Sequence, residues 1–143
     1  MNEDYTEEKL PYIADTILGL LESVPTSATV LALEGDLGAG KTTLTKTIAE
    51  LLGVQETVVS PTFVIAKFYT PTKGLFTRLV HIDAYRIESL DELGPLGFEQ
   101  LLEQPNTLII VEWPERIKEV LPDITYWFSI THTEQGRHIT QKK

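Results

Sequence analysis

Apolar side chains repeat along this chain at two spacings, and each spacing predicts a different kind of element. Residues 6–24 carry apolar side chains every three or four positions, which predicts an amphipathic helix. The same period after Lys41 predicts a second helix, which Gly53 would close. Residues 29–33 and 107–111 are instead short, continuous apolar runs, as expected of buried parallel strands.

The remaining segments add antiparallel strands and short helices to this pattern. β-branched and aromatic residues on both sides of a turn at 70–74 predict a hairpin, and Ser89 with Glu92 matches a capping box. The additional predicted elements are strands at 58–69, 75–82, 124–131 and 137–141 and helices starting at Ser89, Phe98 and Pro114. Together these elements predict one α/β domain over residues 1–143, with a mostly parallel central sheet and antiparallel additions.

Composition and charge narrow the class of protein. Hydrophobic residues make up 42% and charged residues 23% of the 143 positions, as in ordinary globular domains. No apolar run approaches the ~20 residues of a membrane span, the N-terminus is unlike a signal peptide, and there are no cysteines, so we expect a cytoplasmic protein. The net charge of -9 argues against a broad nucleic-acid-binding face. We interpret the basic C-terminal residues Arg137, His138, Lys142 and Lys143 as a solvated tail.

The run GDLGAGKT, from Gly35 to Thr42, fits the phosphate-loop pattern G-x-x-x-x-G-K-[ST] at every fixed position. Its glycines allow the backbone to curve around a polyphosphate and direct N–H groups at the oxygens. Lys41 adds a cation for the β- and γ-phosphates, and the Thr42 hydroxyl is a ligand for Mg²⁺. Because the run lies between a predicted buried strand and a predicted helix, the sequence predicts a P-loop NTPase-like three-layer fold.

Two carboxylates that follow apolar runs are candidate ligands for Mg²⁺. Asp83 ends the run at 79–82 and Glu112 ends the run at 108–111, and we expect both strands to flank the strand before the loop. Glu112 follows the more continuous apolar run, so we assign it to Mg²⁺ together with Thr42. We assign Asp83 to orienting the attacking water or to supporting the metal's other ligands, although the residues alone leave this division of roles open.

The sequence also indicates which nucleotide base is bound and what role His81 has. The sequence has no N-K-x-D run to read guanine, so adenine is the favoured base. His81 lies on the same face of its strand as Asp83 by alternation. A lone histidine on a strand is more often structural than catalytic, and we do not count it among the predicted site residues.

Four motifs in order resemble the TsaE family of bacterial ATPases, which take part in making threonylcarbamoyladenosine (t6A) beside the tRNA anticodon. The motifs are GDLGAGKTT at 35–43, SPTF at 60–63, HIDAYR at 81–86 and VEWPE at 111–115, and Gly136-Arg137 also fits. The resemblance extends over nearly the whole chain.

The resemblance implies roles for particular residues. Thr42 and Glu112 would coordinate Mg²⁺, and Asp83 would be needed for hydrolysis, so that the catalytic residues are Asp83, Lys41 and Glu112. Contacts with ATP would come from the loop, from the SPTF and VEWPE motifs, and from both ends of the chain. These contacts are Asp36, Leu37, Gly38, Ala39, Gly40, Lys41, Thr42, Thr43, Thr62 near the γ-phosphate, Trp113 beside the nucleotide, and Arg137, Thr6 and Glu7 near its base and ribose.

The resemblance also implies partners. Members of this family act with a heterodimer of the TsaD and TsaB proteins, and tRNA is reached only indirectly, through that complex. ATP hydrolysis is weak without the partners and resets the complex between rounds of modification. The cofactors implied are ATP and Mg²⁺, and no membrane is involved.

Two other functions fit a phosphate loop. A small-molecule kinase would need a lid and an acceptor pocket with several arginines, for which 143 residues leave little room. A nucleotide-dependent binding module would use ATP to order the domain for docking, with hydrolysis incidental. Product analysis separates the kinase from the ATPase, and variants of Glu112 and Asp83 separate the binding module from it.

Overall fold

A seven-stranded sheet organises the computed structural model, which describes residues 1–23, 26–59 and 65–142. The strands are β1 (Asn2–Tyr5), β2 (Thr29–Glu34), β3 (Ala66–Tyr69), β4 (Arg78–Asp83), β5 (Thr107–Glu112), β6 (Thr125–His132) and β7 (Arg137–Lys142). Their order is β1-β7-β6-β2-β5-β4-β3. The inner strands β6, β2, β5 and β4 pair in parallel, and the pairs at both edges are antiparallel. The predicted mostly parallel sheet with antiparallel additions is confirmed.

Helices cover both faces of this sheet and make three layers. One face packs against α1 (Leu10–Leu20) and α2 (Lys41–Leu51), and the two helices also contact each other. The other face packs against α3 (Phe98–Leu102) and two 3-10 helices, Leu90–Leu96 and Pro114–Val120. Among the described residues, no helix has the length and apolar character that crossing a bilayer requires.

The two central strands are buried on both faces because side chains alternate between the two helical layers. Leu31 and Leu33 of β2 belong to the core beneath α1 and α2, whereas Val30 belongs to the opposite core. All six residues of β5 are buried, as the continuous apolar run predicted. Glu112 is the last of the six, so the strand includes the carboxylate instead of stopping before it.

Several predicted elements differ from expectation in length or in type of helix. The helix predicted at 6–24 begins with a 3-10 turn, Glu7–Lys9, and α1 ends at Leu20. The helix predicted from Ser89 is a 3-10 helix containing Pro95, which lacks the N–H that an α-helix would use. Its capping box is present, since the Glu92 carboxylate accepts from the Ser89 N–H and the Ser89 hydroxyl accepts from the Asp91 N–H. In the strand predicted at 58–69, residues 60–64 lie outside the described residues, and β3 occupies only the final part.

One strand was missed, and two expectations about arrangement were wrong. The strand β1 was not predicted, because it has no apolar alternation and forms by pairing with β7. The strand that ends in Asp83 does not flank β2, because β5 lies between β4 and β2. Arg137, His138 and Lys142 do not belong to a solvated tail, because they lie on β7: Lys142 Nζ is 3.0 Å from Glu34, and His138 Nδ1 is 2.6 Å from Asp4. Lys143 lies outside the described residues.

Candidate functional site

The phosphate loop connects β2 to α2 at the carboxyl end of the parallel strands. Gly38 and Gly40 have φ angles of 77° and 103°, in the left-handed region that favours glycine. Gly35 is needed for a different reason, because a Cβ atom there would lie 2.6 Å from the backbone oxygen of Ile130 on β6. Two glycines therefore set the curvature of the loop, and one sets its close approach to the sheet.

Arg137, the first residue of β7, holds this loop from the side. Its Nε donates to the Ala39 oxygen at 2.8 Å, and its Nη2 donates to the Gly38 oxygen at 3.2 Å. Pairing two loop carbonyls with a cation offsets negative partial charge that would oppose a bound phosphate. The family resemblance implied that Arg137 lies near the base and ribose, and the structure places its guanidinium group on the loop itself.

Lys41 begins α2 and is almost wholly buried, with 4% of its surface exposed. Its ammonium group donates to the backbone oxygens of Gly35 and Asp36, at 2.5 Å and 3.0 Å. Burial lowers the pKa of Lys41, and the nearby carboxylates, led by Glu112 and then Asp83, partly oppose that shift. The cation is thus held inside the curve of the loop by groups that a phosphate oxygen can replace.

Thr42 and Glu112 meet across the gap between α2 and β5. The Thr42 hydroxyl lies 3.0 Å from each carboxylate oxygen of Glu112, which is only 3% exposed. A second donor reaches the same carboxylate, since His81 Nε2 lies 2.5 Å from Glu112 Oε2. The carboxylate is therefore oriented from two sides, by one hydroxyl group and by one imidazole.

Asp83 lies beside Glu112 because the two residues are register partners on β4 and β5. Its Oδ1 accepts a hydrogen bond from the Tyr85 N–H at 3.0 Å. Burial raises the pKa of Asp83, and the charge of Glu112 adds to the rise, whereas the Tyr85 N–H opposes it. The predicted pair of carboxylates does come together, through adjacent strands and not through flanking of β2.

Trp113 follows Glu112 with a φ angle of 59°, which is unusual for a residue other than glycine. This turn places its ring centroid 4.5 Å from the Lys41 ammonium nitrogen and 4.9 Å from the Tyr85 ring centroid. The indole therefore forms one wall of the site and makes a cation–π contact with the loop lysine.

Among the described residues, two of the cavities adjoin the loop. One, of about 240 Å³, contains most of the predicted phosphate contacts and both carboxylates, and it is lined by Leu37, Gly38, Ala39, Gly40, Lys41, Thr42, Thr43, Asp83, Glu112, Trp113 and Arg137. The other, of about 330 Å³, is lined by the N-terminal segment, including Thr6 and Glu7, and by Gly136. Gly40, Thr43 and Arg137 line both, so the two cavities are adjacent. A larger cavity of about 520 Å³ beside Leu90–Leu96 shares no residue with the loop.

The donor atoms at the carboxylate cluster fit a magnesium ion. Thr42 and Glu112 supply a hydroxyl and a carboxylate, and Mg²⁺ prefers such oxygen ligands. Within the described residues, no group of three or more His, Cys, Asp or Glu side chains could hold a metal by itself. Few protein ligands are what a magnesium site completed by phosphate and water requires.

The structure therefore brings together nearly all the residues predicted for the site. Asp36 differs from the others in the loop, since it contributes its backbone oxygen to Lys41 and is not among the residues that line the cavity. Thr62 lies outside the described residues. The sequence analysis left out His81, and only its alternation with Asp83 indicated that it lies on this face of the sheet.

Comparisons with known proteins agree on one family. The family model described as threonylcarbamoyl adenosine biosynthesis protein TsaE matches residues 6–140. Three relatives named tRNA threonylcarbamoyladenosine biosynthesis protein TsaE match this chain. The protein from Streptomyces coelicolor is 46% identical over 66% of this chain and 63% of the relative, and the protein from Bacillus subtilis is 48% identical over 65% of this chain and 55% of the relative. The protein from Treponema pallidum is 37% identical over 87% of each chain. The matched region thus spans less than two thirds of the Streptomyces and Bacillus relatives.

A solved structure shares the fold. The crystal structure of Bacillus subtilis YdiB superposes with a TM-score of 0.73 at 33% identity, covering 99% of this chain and 83% of that chain. The P-loop NTPase-like three-layer architecture predicted from the sequence is confirmed by this likeness.

Proposed function

The chain belongs to the TsaE family of threonylcarbamoyl adenosine biosynthesis proteins, and from that premise we propose that it is the accessory ATPase of tRNA t6A modification. It binds ATP with Mg²⁺ at the phosphate loop and hydrolyses it. Hydrolysis drives or resets a complex with TsaD and TsaB, which contact the tRNA.

The observation that carries this proposal is the contact between Thr42 and Glu112. A hydroxyl that begins the loop helix and a carboxylate at the end of the adjacent parallel strand lie 3.0 Å apart. In phosphate-loop enzymes a loop Ser or Thr and an Asp hold Mg²⁺, and here Glu112 would take the place of the Asp. When bound, the metal neutralises charge on the β- and γ-phosphates, and Lys41 adds a second positive charge from the loop side.

Asp83 supplies the other chemical group. Its carboxylate is partly buried beside Glu112, and the rise in its pKa makes it a better proton acceptor once ionised. Accordingly, Asp83 orients the attacking water and takes its proton, while Glu112 stays with the metal. This assignment gives the two carboxylates different roles on one cluster.

Hydrolysis measured with and without partners tests the proposal. We expect slow phosphate release from ATP alone and faster release when the TsaD–TsaB pair is added, with no phosphorylated small molecule formed. Phosphorylated acceptors would indicate a kinase. No phosphate release in either condition would overturn the ATPase assignment.

A second experiment separates an ATPase from a binding module. Asp83→Asn and Glu112→Gln should each support at most one round of t6A formation per complex, because the complex is not reset. If both variants sustain many rounds, ATP serves only to order the domain, and hydrolysis is not the function.

A further inference from the structure

We infer that His81 is a positioning residue for the metal ligand Glu112, so that it sets the affinity of the site for the divalent cation. This inference rests on the proposed function, because it takes Glu112 as a magnesium ligand. His81 acts through Glu112 and does not itself bind the metal or the nucleotide.

His81 is hydrogen-bonded to the carboxylate of Glu112. A carboxylate only accepts, so Nε2 of His81 must carry the proton that it shares with Glu112 Oε2 across 2.5 Å. The Thr42 hydroxyl lies 3.0 Å from both oxygens of the same group. With one oxygen held by the imidazole, rotation of the carboxylate about its last bond is restricted, and the direction of its remaining lone pairs is fixed.

A histidine is energetically costly at this buried position. His81 has no exposed surface, and its neighbours on this face of the sheet include Leu79 and Ile110. Its other ring nitrogen, Nδ1, has no hydrogen-bond partner among the described residues. A leucine or methionine would fill the same space without an unpaired polar atom. Packing therefore does not explain the imidazole, whereas its contact with Glu112 does.

The place of His81 in the sheet fixes the direction from which its side chain reaches Glu112. His81 lies two residues before Asp83 on β4, and Glu112 lies opposite Asp83 on β5. The imidazole therefore reaches the carboxylate from a strand that is hydrogen-bonded on both sides, to β3 and to β5, and not from a loop. Partners that orient a metal ligand in this way commonly change metal affinity by about 10- to 100-fold when they are removed.

A matched pair of variants tests the inference. His81→Gln keeps an N–H donor at about the reach of Nε2. His81→Met places a side chain of nearly the same length and shape as glutamine there, but without the donor. Binding of Mn²⁺, used as a magnetic probe for the magnesium site, is titrated by electron paramagnetic resonance in the presence of ADP. Binding of ADP in EDTA is measured separately by calorimetry, and thermal unfolding shows that each variant is folded.

We expect the Mn²⁺ dissociation constant to rise at least about tenfold in His81→Met and to change by less than about threefold in His81→Gln. ADP affinity in EDTA should be unchanged in both. If His81→Met folds and keeps wild-type Mn²⁺ affinity, or if both variants lose it equally, the positioning role is refuted. His81→Leu replaces His81→Met if the latter does not fold.

The same data separate this inference from the function on which it rests. Absence of Mn²⁺ binding to the wild-type protein with ADP would remove the proposed metal site altogether. Glu112→Gln provides the reference for full loss of the carboxylate ligand. Wild-type binding that is lost in Glu112→Gln but retained in His81→Met would uphold the metal site and reject the role of His81.

Discussion

Arg137 Nε lies 2.8 Å from the carbonyl oxygen of Ala39, so the last strand of the sheet is hydrogen-bonded to the phosphate loop. The neighbouring Gly136 has its own constraint, since a Cβ atom there would lie 2.4 Å from the backbone oxygen of Tyr5. The N-terminal strand, β7 and the loop therefore contact one another through two consecutive residues. Displacement of β1 or β7 would reach the nucleotide site through Arg137.

Arg137→Met should weaken ATP binding. The variant retains an apolar side chain but loses two charge-assisted hydrogen bonds to the loop, and we expect about tenfold lower affinity, or about 1.4 kcal/mol. Isothermal titration calorimetry measures the change. Lys142→Met, on the same strand, removes a cation that pairs with Glu34 and should change affinity less than about twofold. Equal losses in the two variants would mean that net charge, and not support of the loop, controls binding.

Lys41→Ala should abolish the phosphate interaction that the loop provides. Removing a buried cation that a polyphosphate would contact should weaken ATP binding by about 100-fold and eliminate partner-stimulated phosphate release. Lys46→Ala, on the exposed side of the same helix, is the matched control and should behave as wild type. Unchanged phosphate release in Lys41→Ala would place the nucleotide elsewhere.

Two glycine substitutions should change stability in opposite directions. Gly35→Ala forces a Cβ atom against the Ile130 oxygen, and we expect a loss of about 1–3 kcal/mol in the free energy of unfolding. Gly19→Ala lies in α1 with no atom within 4 Å of the new Cβ, so it should gain about 0.5–1 kcal/mol. Urea denaturation of both variants measures the difference. A harmless Gly35→Ala would show that the loop can move away from β6.

Local sequence was enough to predict the elements that depend on their own residues. The loop, α2 and β5 follow from glycine spacing, helical period and a continuous apolar run, and each is present at nearly the predicted position. The capping box at Ser89 was also correct, although Pro95 made the helix a 3-10 helix. These features are encoded within about ten residues, so no knowledge of distant partners was required.

Features that depend on pairing between distant segments could not be predicted in this way. The strand β1 exists because β7 offers it an antiparallel partner, and nothing in the polar run at 2–4 indicates it. The position of β5 between β2 and β4 likewise depends on which distant strands pair, and not on the residues of β5 alone. The contact between His81 and Glu112 follows from that pairing, and therefore the sequence alone gave His81 no partner.

The remaining prediction concerns stability and pH at Asp83. Its pKa is raised in the folded protein, mainly by burial and further by Glu112. As the pH rises past the ordinary pKa of an aspartate, near 3.8, Asp83 loses its proton in the unfolded chain first. The folded protein keeps the proton to a higher pH, because burial and the charge of Glu112 disfavour the ionised carboxylate. Stability contributed by this site therefore falls as the pH rises, and the penalty is complete above the folded-state pKa.

Asp83→Asn should remove that penalty while keeping an oxygen that can accept from the Tyr85 N–H. We expect a higher Tm than wild type at pH 7.5, with the difference vanishing as the pH approaches 3.5, because both proteins then carry an uncharged side chain at this position. Differential scanning calorimetry across this range measures the effect, and Asp15→Asn on the exposed side of α1 controls for net charge. A lower Tm for Asp83→Asn at neutral pH would show that the ionised carboxylate stabilises the fold, and the assignment of Asp83 as a proton acceptor with a raised pKa would be wrong.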